Sequence, residues 1–303
     1  MRASARYSVV VVTWECEAEL ARLVRSMNRH LGREVELVTV DNASSDDPAA
    51  AAGLWHGPMK LIRNDRNEGY GAAANRGVDA ASGEAVVMLN PDTELVDSSL
   101  DRLAAFALAS GAIVGPRLLS PDGSPQASAS GPAVGIWPWL GALVPGKVAP
   151  RPLRARTEPW RLGELTRVAW LTGACVAASR ELLVGLGPFD ASIHMYGEDM
   201  DLGLRADRAG VPSLFHPESC RLIHHRRGSS SKRYRRGPAE VMTASRRSVL
   251  ARLYGPRREL SAWRAHRLNL RLRTLAKTSL GRPADIERSL LRAGADEHDS
   301  RSA

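Results

Sequence analysis

The sequence is poor in cysteine: Cys16, Cys175 and Cys220 are the only three in 303 residues, too few for an even disulfide framework and too dispersed for a close metal-binding pair. A disulfide-stapled secreted protein is therefore not the expected class, and a reducing, cytoplasmic compartment fits better. Long hydrophobic runs are missing as well. A spanning helix needs ~20 apolar residues, whereas the best candidate, AVGIWPWLGALVP, is short and broken by prolines. The opening run YSVVVVTW is also short and meets the charged ECEAEL, so neither a signal peptide nor a membrane span is expected. Glycine and lysine are not spaced as in a P-loop or a dinucleotide fingerprint, and no zinc or RNP motif is present. TWECEAEL, after the first apolar run, is not the Gly/Arg/Lys-rich loop that a nucleotidyltransferase would place there.

What the chain does have is a large apolar fraction, 44% of its residues, enough for one sizeable core with or without a helical extension. Its formal charge of +9 is unevenly distributed. Residues 221–303 hold 21 Lys/Arg against 7 Asp/Glu, while the preceding 220 residues are net acidic. Such a basic tail suits an anionic partner, whether nucleic acid, a membrane surface or a lipid diphosphate. Nucleic acid is the least favoured, because the tail shows no zinc or RNP motif.

Over the first 120 residues, β-branched runs alternate with helical patterns: YSVVVVTW, VELVTVDNA, KLIRN, EAVVMLNPD and AIVGP are separated by segments such as CEAELARLVRSM and GAAANRGVDAA. Leu20, Leu23, Val24 and Met27 recur at helical spacing, and strands without polar alternation predict a parallel sheet covered on both faces. The expected fold class is thus α/β, doubly wound and mostly parallel. Ligands of such sheets bind beyond the carboxyl ends of the strands, where Thr13, Asp41, Asn42, Asn90 and Asp92 fall. The reading divides the chain into a main domain over 1–232 and a basic helical extension over 233–303. Within the main domain, 1–120 form a nucleotide-binding half, 121–165 an irregular Pro/Gly/Trp-rich excursion and 166–232 a second half.

Five segments could carry chemistry. VDNASSDD brings Asp41 out of a buried strand into a turn, where its carboxylate could accept from a nucleobase N–H or simply cap a helix. In NEGYGAAANRG, Gly69 and Gly71 permit close backbone approach and Asn75 and Arg76 lie a helical turn further on; both a phosphate site and a plain helix start fit. MLNPDTEL ends an apolar strand in Asn90, Pro91 and Asp92, a place for a hard cation bridging a diphosphate or for a Pro-Asp turn. MYGEDMDL gathers Glu198, Asp199 and Asp201 at a helix N-terminus, with Arg205 four residues after Asp201. Crowded carboxylates can raise one pKa and make a base, and they can equally cap the helix. LIHHRRGSS sets His224 and His225 at the end of a short strand, for metal, phosphate or packing.

In this order, VVVVTW, VDNASSDD, NEGYGAAANRG, MLNPDTEL, LTGACVAASRE, GPFDASIHMYGEDMDLGLRADRAG and HHRRGSS resemble the family 2 glycosyltransferases, especially the rhamnosyltransferase-like branch. The resemblance implies a GT-A fold and an inverting transfer of a sugar from a nucleoside diphosphate. It implies that Thr13 and Asp41 hold the base, Asn75 and Arg76 line the nucleotide pocket, and Asn90 and Asp92 adjoin the diphosphate. Asp199 would be the general base beside Glu198, Arg205 a contact to the leaving diphosphate, and Asp92 and His224 the ligands of a divalent cation, Mg²⁺ or Mn²⁺. Asn90 departs from the many members with a first aspartate there, and an amide is a poorer cation ligand than a carboxylate. The implied donor is dTDP-rhamnose, with UDP-galactofuranose or another UDP-sugar as the alternative. The acceptor would be a glycan or a polyprenyl-diphosphate-linked glycan of cell-envelope polysaccharide synthesis.

Two features bear on the acceptor. Trp137 and Trp139 and the basic tail suit the surface of an anionic membrane, which predicts a peripheral protein at the inner face of the plasma membrane. Leu268, Leu272 and Leu275 share a stripe of the tail that equally suits internal packing or a homodimer. A non-catalytic glycan-binding relative is disfavoured by the presence of both Asp92 and Asp199.

Overall fold

The structure is a computed structural model and describes residues 7–226 and 238–293. The first half runs β1 (Tyr7–Thr13), α1 (Glu17–His30), β2 (Glu36–Asp41), α2 (Pro48–Ala52), β3 (Met59–Arg63), α3 (Tyr70–Ala80), β4 (Ala85–Leu89), β5 (Thr93–Leu95), α4 (Ser99–Ser110), β6 (Ile113–Gly115) and β7 (Arg117–Leu119). Then come β8 (Ala129–Ser130), α5 (Trp137–Leu143), α6 (Arg151–Thr157), β9 (Thr166–Val168), β10 (Trp170–Leu171), β11 (Cys175–Ser179), α7 (Arg180–Leu186), α8 (Glu198–Arg208), β12 (Ser213–Phe215) and β13 (Arg221–His224). Helices α9 (Pro238–Tyr254), α10 (Pro256–Ser279) and α11 (Asp285–Ala293) follow.

The burial of β1 explains the architecture. All seven of its residues are buried, and successive side chains point to opposite faces. Val9 and Val11 enter one core with Leu20, Leu23 and Met27 of α1 and Leu100 and Leu103 of α4. Val10 and Val12 enter another with Ala73, Ala74 and Val78 of α3 and Leu202 and Ala206 of α8. A strand that is apolar on both faces therefore demands helices on both, as the lack of alternation predicts.

Eight strands form the central sheet in the order β3-β2-β1-β4-β11-β6-β12-β9. β1 pairs parallel with β2 and β4, as do β2 with β3 and β6 with β12, while β11 and β9 run antiparallel to their neighbours. A separate three-stranded sheet, β5-β13-β7, sits beyond it, and its register sets His224 opposite Thr93, next to Asp92.

The 121–165 excursion is more ordered than its composition predicts. Pro138 and Pro152 stand in the first turns of α5 and α6, where a missing N–H costs nothing, so these prolines start helices rather than break them. Trp137 and Trp139 are half-buried. Trp139 donates from Nε1 to Ser261 Oγ of α10 at 3.1 Å, and Arg156 covers the ring of Trp137 at 5.6 Å.

The C-terminal helices are likewise no detached extension. Val249 and Leu250 of α9 and Ala262 of α10 bury Met200 and Leu204 of α8 in a third core. The expected boundary at 232/233 falls outside the described residues, as do Gly228, Ser229 and Ser230 of HHRRGSS. On α10, Leu275 is 64% exposed and Leu272 39%, so that end of the predicted leucine stripe finds no partner among the described residues.

Candidate active site

Asp41 lies at the carboxyl end of β2, 5% exposed, and its Oδ1 accepts from the N–H of Ser44 at 3.0 Å. This Asx-type turn aims the carboxylate over the sheet edge. Thr13, on the neighbouring strand end, turns inward: its hydroxyl donates to Val40 O at 3.4 Å, so it braces the strand rather than offering itself to a ligand. Asn42 is the hub of the region. Its Nδ2 donates to Asn67 Oδ1 and Gly69 O, and its Oδ1 accepts from Asn64 Nδ2 and the Glu68 N–H.

The NEGYGAAANRG segment has a different role from the phosphate cradle considered above. Gly69 has φ 90°, and a Cβ there would stand 2.4 Å from His194 O. The glycine is needed because the 187–197 loop crosses directly over it. Asn75 fastens the same loop, donating from Nδ2 to Phe189 O at 2.8 Å and accepting from Phe189 N–H at 3.0 Å. Arg76 binds Asn64 Oδ1 and Glu68 Oε2. Asn75 and Arg76 thus hold the site's walls together, and their polar groups are engaged in doing so.

Asp92 and His224 meet, with Oδ1 and Nε2 3.4 Å apart. Gln126 determines what that contact is. Its Nε2 donates to His224 O at 2.7 Å, so its Oε1 is the acceptor facing His224 Nδ1 at 2.9 Å and Arg226 Nε at 2.8 Å. Nδ1 then carries a proton; in the imidazolium Nε2 would donate to Asp92, and in the neutral imidazole it turns a lone pair toward that carboxylate. In the neutral form two acceptors face each other, an arrangement that fits a cation between them. Among the described residues no group of three His, Cys, Asp or Glu side chains could complete a metal cage. A hard cation held here would take its other oxygens from phosphate and water, as Mg²⁺ commonly does. Asn90 contributes backbone instead: its N–H donates to Ala174 O, and its carbonyl accepts from Thr93.

Asp199 occupies the first turn of α8, half-buried, with its Oδ1 accepting from Met200 N–H at 2.7 Å and its Oδ2 from Gly173 N–H at 3.1 Å. Gly173 and Ala174 are adjacent on the β10–β11 turn, so one two-residue segment ties Asp199 to Asn90 and places its carboxylate beside the NPD strand end. Glu198 differs sharply from its neighbour. It is 9% exposed, its Oε2 has no hydrogen-bond partner, and burial followed by the Asp199 charge pushes its pKa up to about 8. A protonated Glu198 cannot itself accept a proton, a distinction within the pair that the local sequence pattern leaves open. Tyr70 lies in the same field: burial, then Glu198 and Asp199, raise its phenol.

Arg205 is not free to meet a diphosphate. Its Nε binds Asp201 Oδ2 at 2.7 Å, and its remaining nitrogens donate to the carbonyls of Leu186, Gly187 and Pro188. The helical i,i+4 spacing from Asp201 delivers the guanidinium to the last carbonyls of α7, which it caps. Gln126, Gly173 and Tyr70 are the residues that motif reading passed over. Gly173 lies within LTGACVAASRE and Tyr70 within NEGYGAAANRG, whereas Gln126 lies in none of the motifs.

Residues 8–148 match the family model described as glycosyl transferase family 2. An N-acetylglucosaminyl-diphospho-decaprenol L-rhamnosyltransferase of Mycobacterium tuberculosis is 31% identical over 272 residues, 85% of this chain and 86% of that one. The O-antigen biosynthesis protein RfbC of Myxococcus xanthus is 33% identical over 76% of this chain and 18% of its own length. Among solved structures, the mannosyltransferase PcManGT from Pyrobaculum calidifontis, in complex with GDP-Man and Mn²⁺, superposes with a TM-score of 0.58 at 17% identity, over 96% of this chain and 86% of that one. The fold is GT-A, that of nucleotide-sugar transferases. The chain belongs to glycosyltransferase family 2 and is a glycosyltransferase.

Proposed function

We propose that this enzyme transfers L-rhamnose from dTDP-rhamnose, with inversion, to a hydroxyl of a sugar linked to a polyprenyl diphosphate, in the synthesis of a cell-envelope polysaccharide. The observation that carries the reading is the contrast within Glu198–Asp199. Gly173 N–H and Met200 N–H orient an accessible Asp199 carboxylate, while its buried neighbour keeps a proton. Asp199 accepts the proton of the acceptor hydroxyl as that oxygen bonds to the anomeric carbon, and the bond from that carbon to the diphosphate oxygen breaks on the opposite side. Asp41 receives the base at the end of β2. Asp92 and His224 would hold a divalent cation, whose positive charge would offset that of the departing diphosphate. The relative from Mycobacterium tuberculosis supports both the sugar and the lipid-linked acceptor through its name, and PcManGT supports the cation.

No helix of the described residues is long and apolar enough to cross a membrane. Ile286 (71% exposed) and Leu275, set among the arginines of α10 and α11, instead support a peripheral attachment. The donor is tested by turnover on a synthetic GlcNAc-diphosphate-lipid with dTDP-rhamnose, UDP-galactofuranose and other UDP-sugars. Preference for dTDP-rhamnose is expected, and use of a UDP-sugar in its place refutes the donor assignment.

A further inference from the structure

Between the 130–158 excursion and helices α8 to α10 lies a cavity of about 370 Å³, within the ~300–1,000 Å³ of ordinary ligand pockets. Its walls include Trp137, Trp170, Trp263, Met200 and Leu250, three of which are nearly inaccessible to solvent. The polar lining is unequal in sign. Glu259 is claimed by Arg247 and Glu158 by Arg161, whereas Arg246 and Arg156 ion-pair with no carboxylate among the described residues. The cavity is thus apolar inside with uncompensated positive charge on its lining. It also adjoins the catalytic helix. Gly197 lies against the backbone of Ser245 and Arg246, at 3.5 and 3.6 Å from its Cβ position, and the Arg246 charge acts on Glu198.

We infer that this cavity is the subsite for the lipid diphosphate of the acceptor: Arg246 and Arg156 take the diphosphate and the tryptophan-lined wall takes the first isoprene units. The inference rests on the lipid-linked acceptor proposed above and gives it an address on this chain. Geometry requires it to be close. A sugar whose hydroxyl reaches Asp199 carries its diphosphate about one sugar ring away, and Arg246 enters from the helix packed on the residue before Glu198. An acceptor without phosphate leaves two arginines unmatched, and one without a chain leaves the apolar wall wet. The cavity is built from both segments that the sequence set apart as accessory, the excursion and the basic tail.

The test is calorimetric titration of the full chain, with dTDP present to fill the donor site, using farnesyl diphosphate, farnesol and inorganic diphosphate as probes. Farnesyl diphosphate should bind at least about tenfold tighter than either half-molecule, and Arg246→Gln with Arg156→Gln should weaken it about tenfold while farnesol is unaffected. Ala262→Trp, which fills the cavity, should weaken the chain-bearing probes and spare inorganic diphosphate. A dTDP-induced thermal shift in each variant checks that it has folded. Equal binding of farnesyl diphosphate by wild type and the double arginine variant overturns the cavity assignment. Absence of a dTDP-induced shift in the wild type overturns the dTDP-sugar donor of the proposed function instead, a distinguishable failure.

Discussion

Arg252 of α9 donates to Oδ1 of Asp201 at 2.6 Å, and Asp201 is completely buried two residues after Asp199, the proposed base. The other oxygen of Asp201 is held by Arg205, and Arg252 also pairs with Asp190 in the loop over Gly69. A carboxylate removed from water is tolerable only when so matched. Arg252 therefore links the C-terminal helices, the catalytic helix and the loop above the donor side. Arg252→Ala should lower stability by about 2 kcal/mol, less than for a fully buried pair because the arginine is half-exposed and Arg205 remains. It should also lower kcat more than it raises the KM for donor. Combining it with Asp201→Asn should restore part of the stability, measured by urea denaturation; strictly additive losses would deny the coupling.

Asp199→Asn keeps the size of the side chain and one of its two accepted hydrogen bonds, since an amide nitrogen cannot accept from the second N–H, and it removes the proposed base. Turnover should fall about 10²–10⁴-fold with donor binding preserved. Near-normal kcat in a folded variant would rule out Asp199 as base.

Gln126→Leu removes the acceptor that fixes the His224 tautomer. Binding of Mn²⁺ in the presence of dTDP, followed by electron paramagnetic resonance, should weaken about 10–100-fold, the usual cost of losing an outer partner of a metal ligand. Unchanged affinity would place the cation away from Asp92 and His224.

Glu198 predicts a pH dependence of stability. Folded, it keeps its proton to about pH 8; unfolded, it loses it near the ordinary value of 4.5. Between these pH values the native state binds the extra proton, so this contribution is complete below the lower one and lost as pH rises through the upper one. Glu198→Gln carries no such linkage. Its melting temperature relative to wild type should climb from pH 5 to 8 and level off above, by a few degrees, roughly the scale expected for a chain of this size. A difference independent of pH would mean that Glu198 is ionised in the fold.

Leu275→Asp with Ile286→Asp tests attachment without cutting the chain. Flotation with anionic liposomes should drop several-fold relative to wild type at low salt, since each change removes an apolar contact and adds repulsion. Removal of 233–303 would be uninformative, because it exposes Met200 and Leu204.

The sheet was legible because four consecutive valines cannot be satisfied on one face alone, whereas motif order only proposed Asp92 and Asp199, to which the structure adds the contact of Asp92 with His224 and the place of Asp199 in the first turn of α8. What failed followed from side-chain reach. Arg205 and Asn75 carry the polar groups expected of ligand contacts, yet each finds backbone carbonyls supplied by segments 17 or more residues away in sequence. Spacing along a chain does not report such meetings. Pro138 and Pro152 misled for another reason, since composition counts prolines without distinguishing the first turn of a helix from its middle. Gln126 had no local signature at all: its role exists only once β13 has brought His224 alongside.

The burial of Met200 and Leu204 by α9 and α10 has a consequence for how the enzyme is made. Synthesis delivers the strands of the central sheet first, while α8 waits, its apolar side uncovered, until α9 and α10 have left the ribosome. Completion of the helix that carries Asp199 therefore depends on segments made after it, and a stop ahead of Arg252 is expected to leave Met200 and Leu204 uncovered.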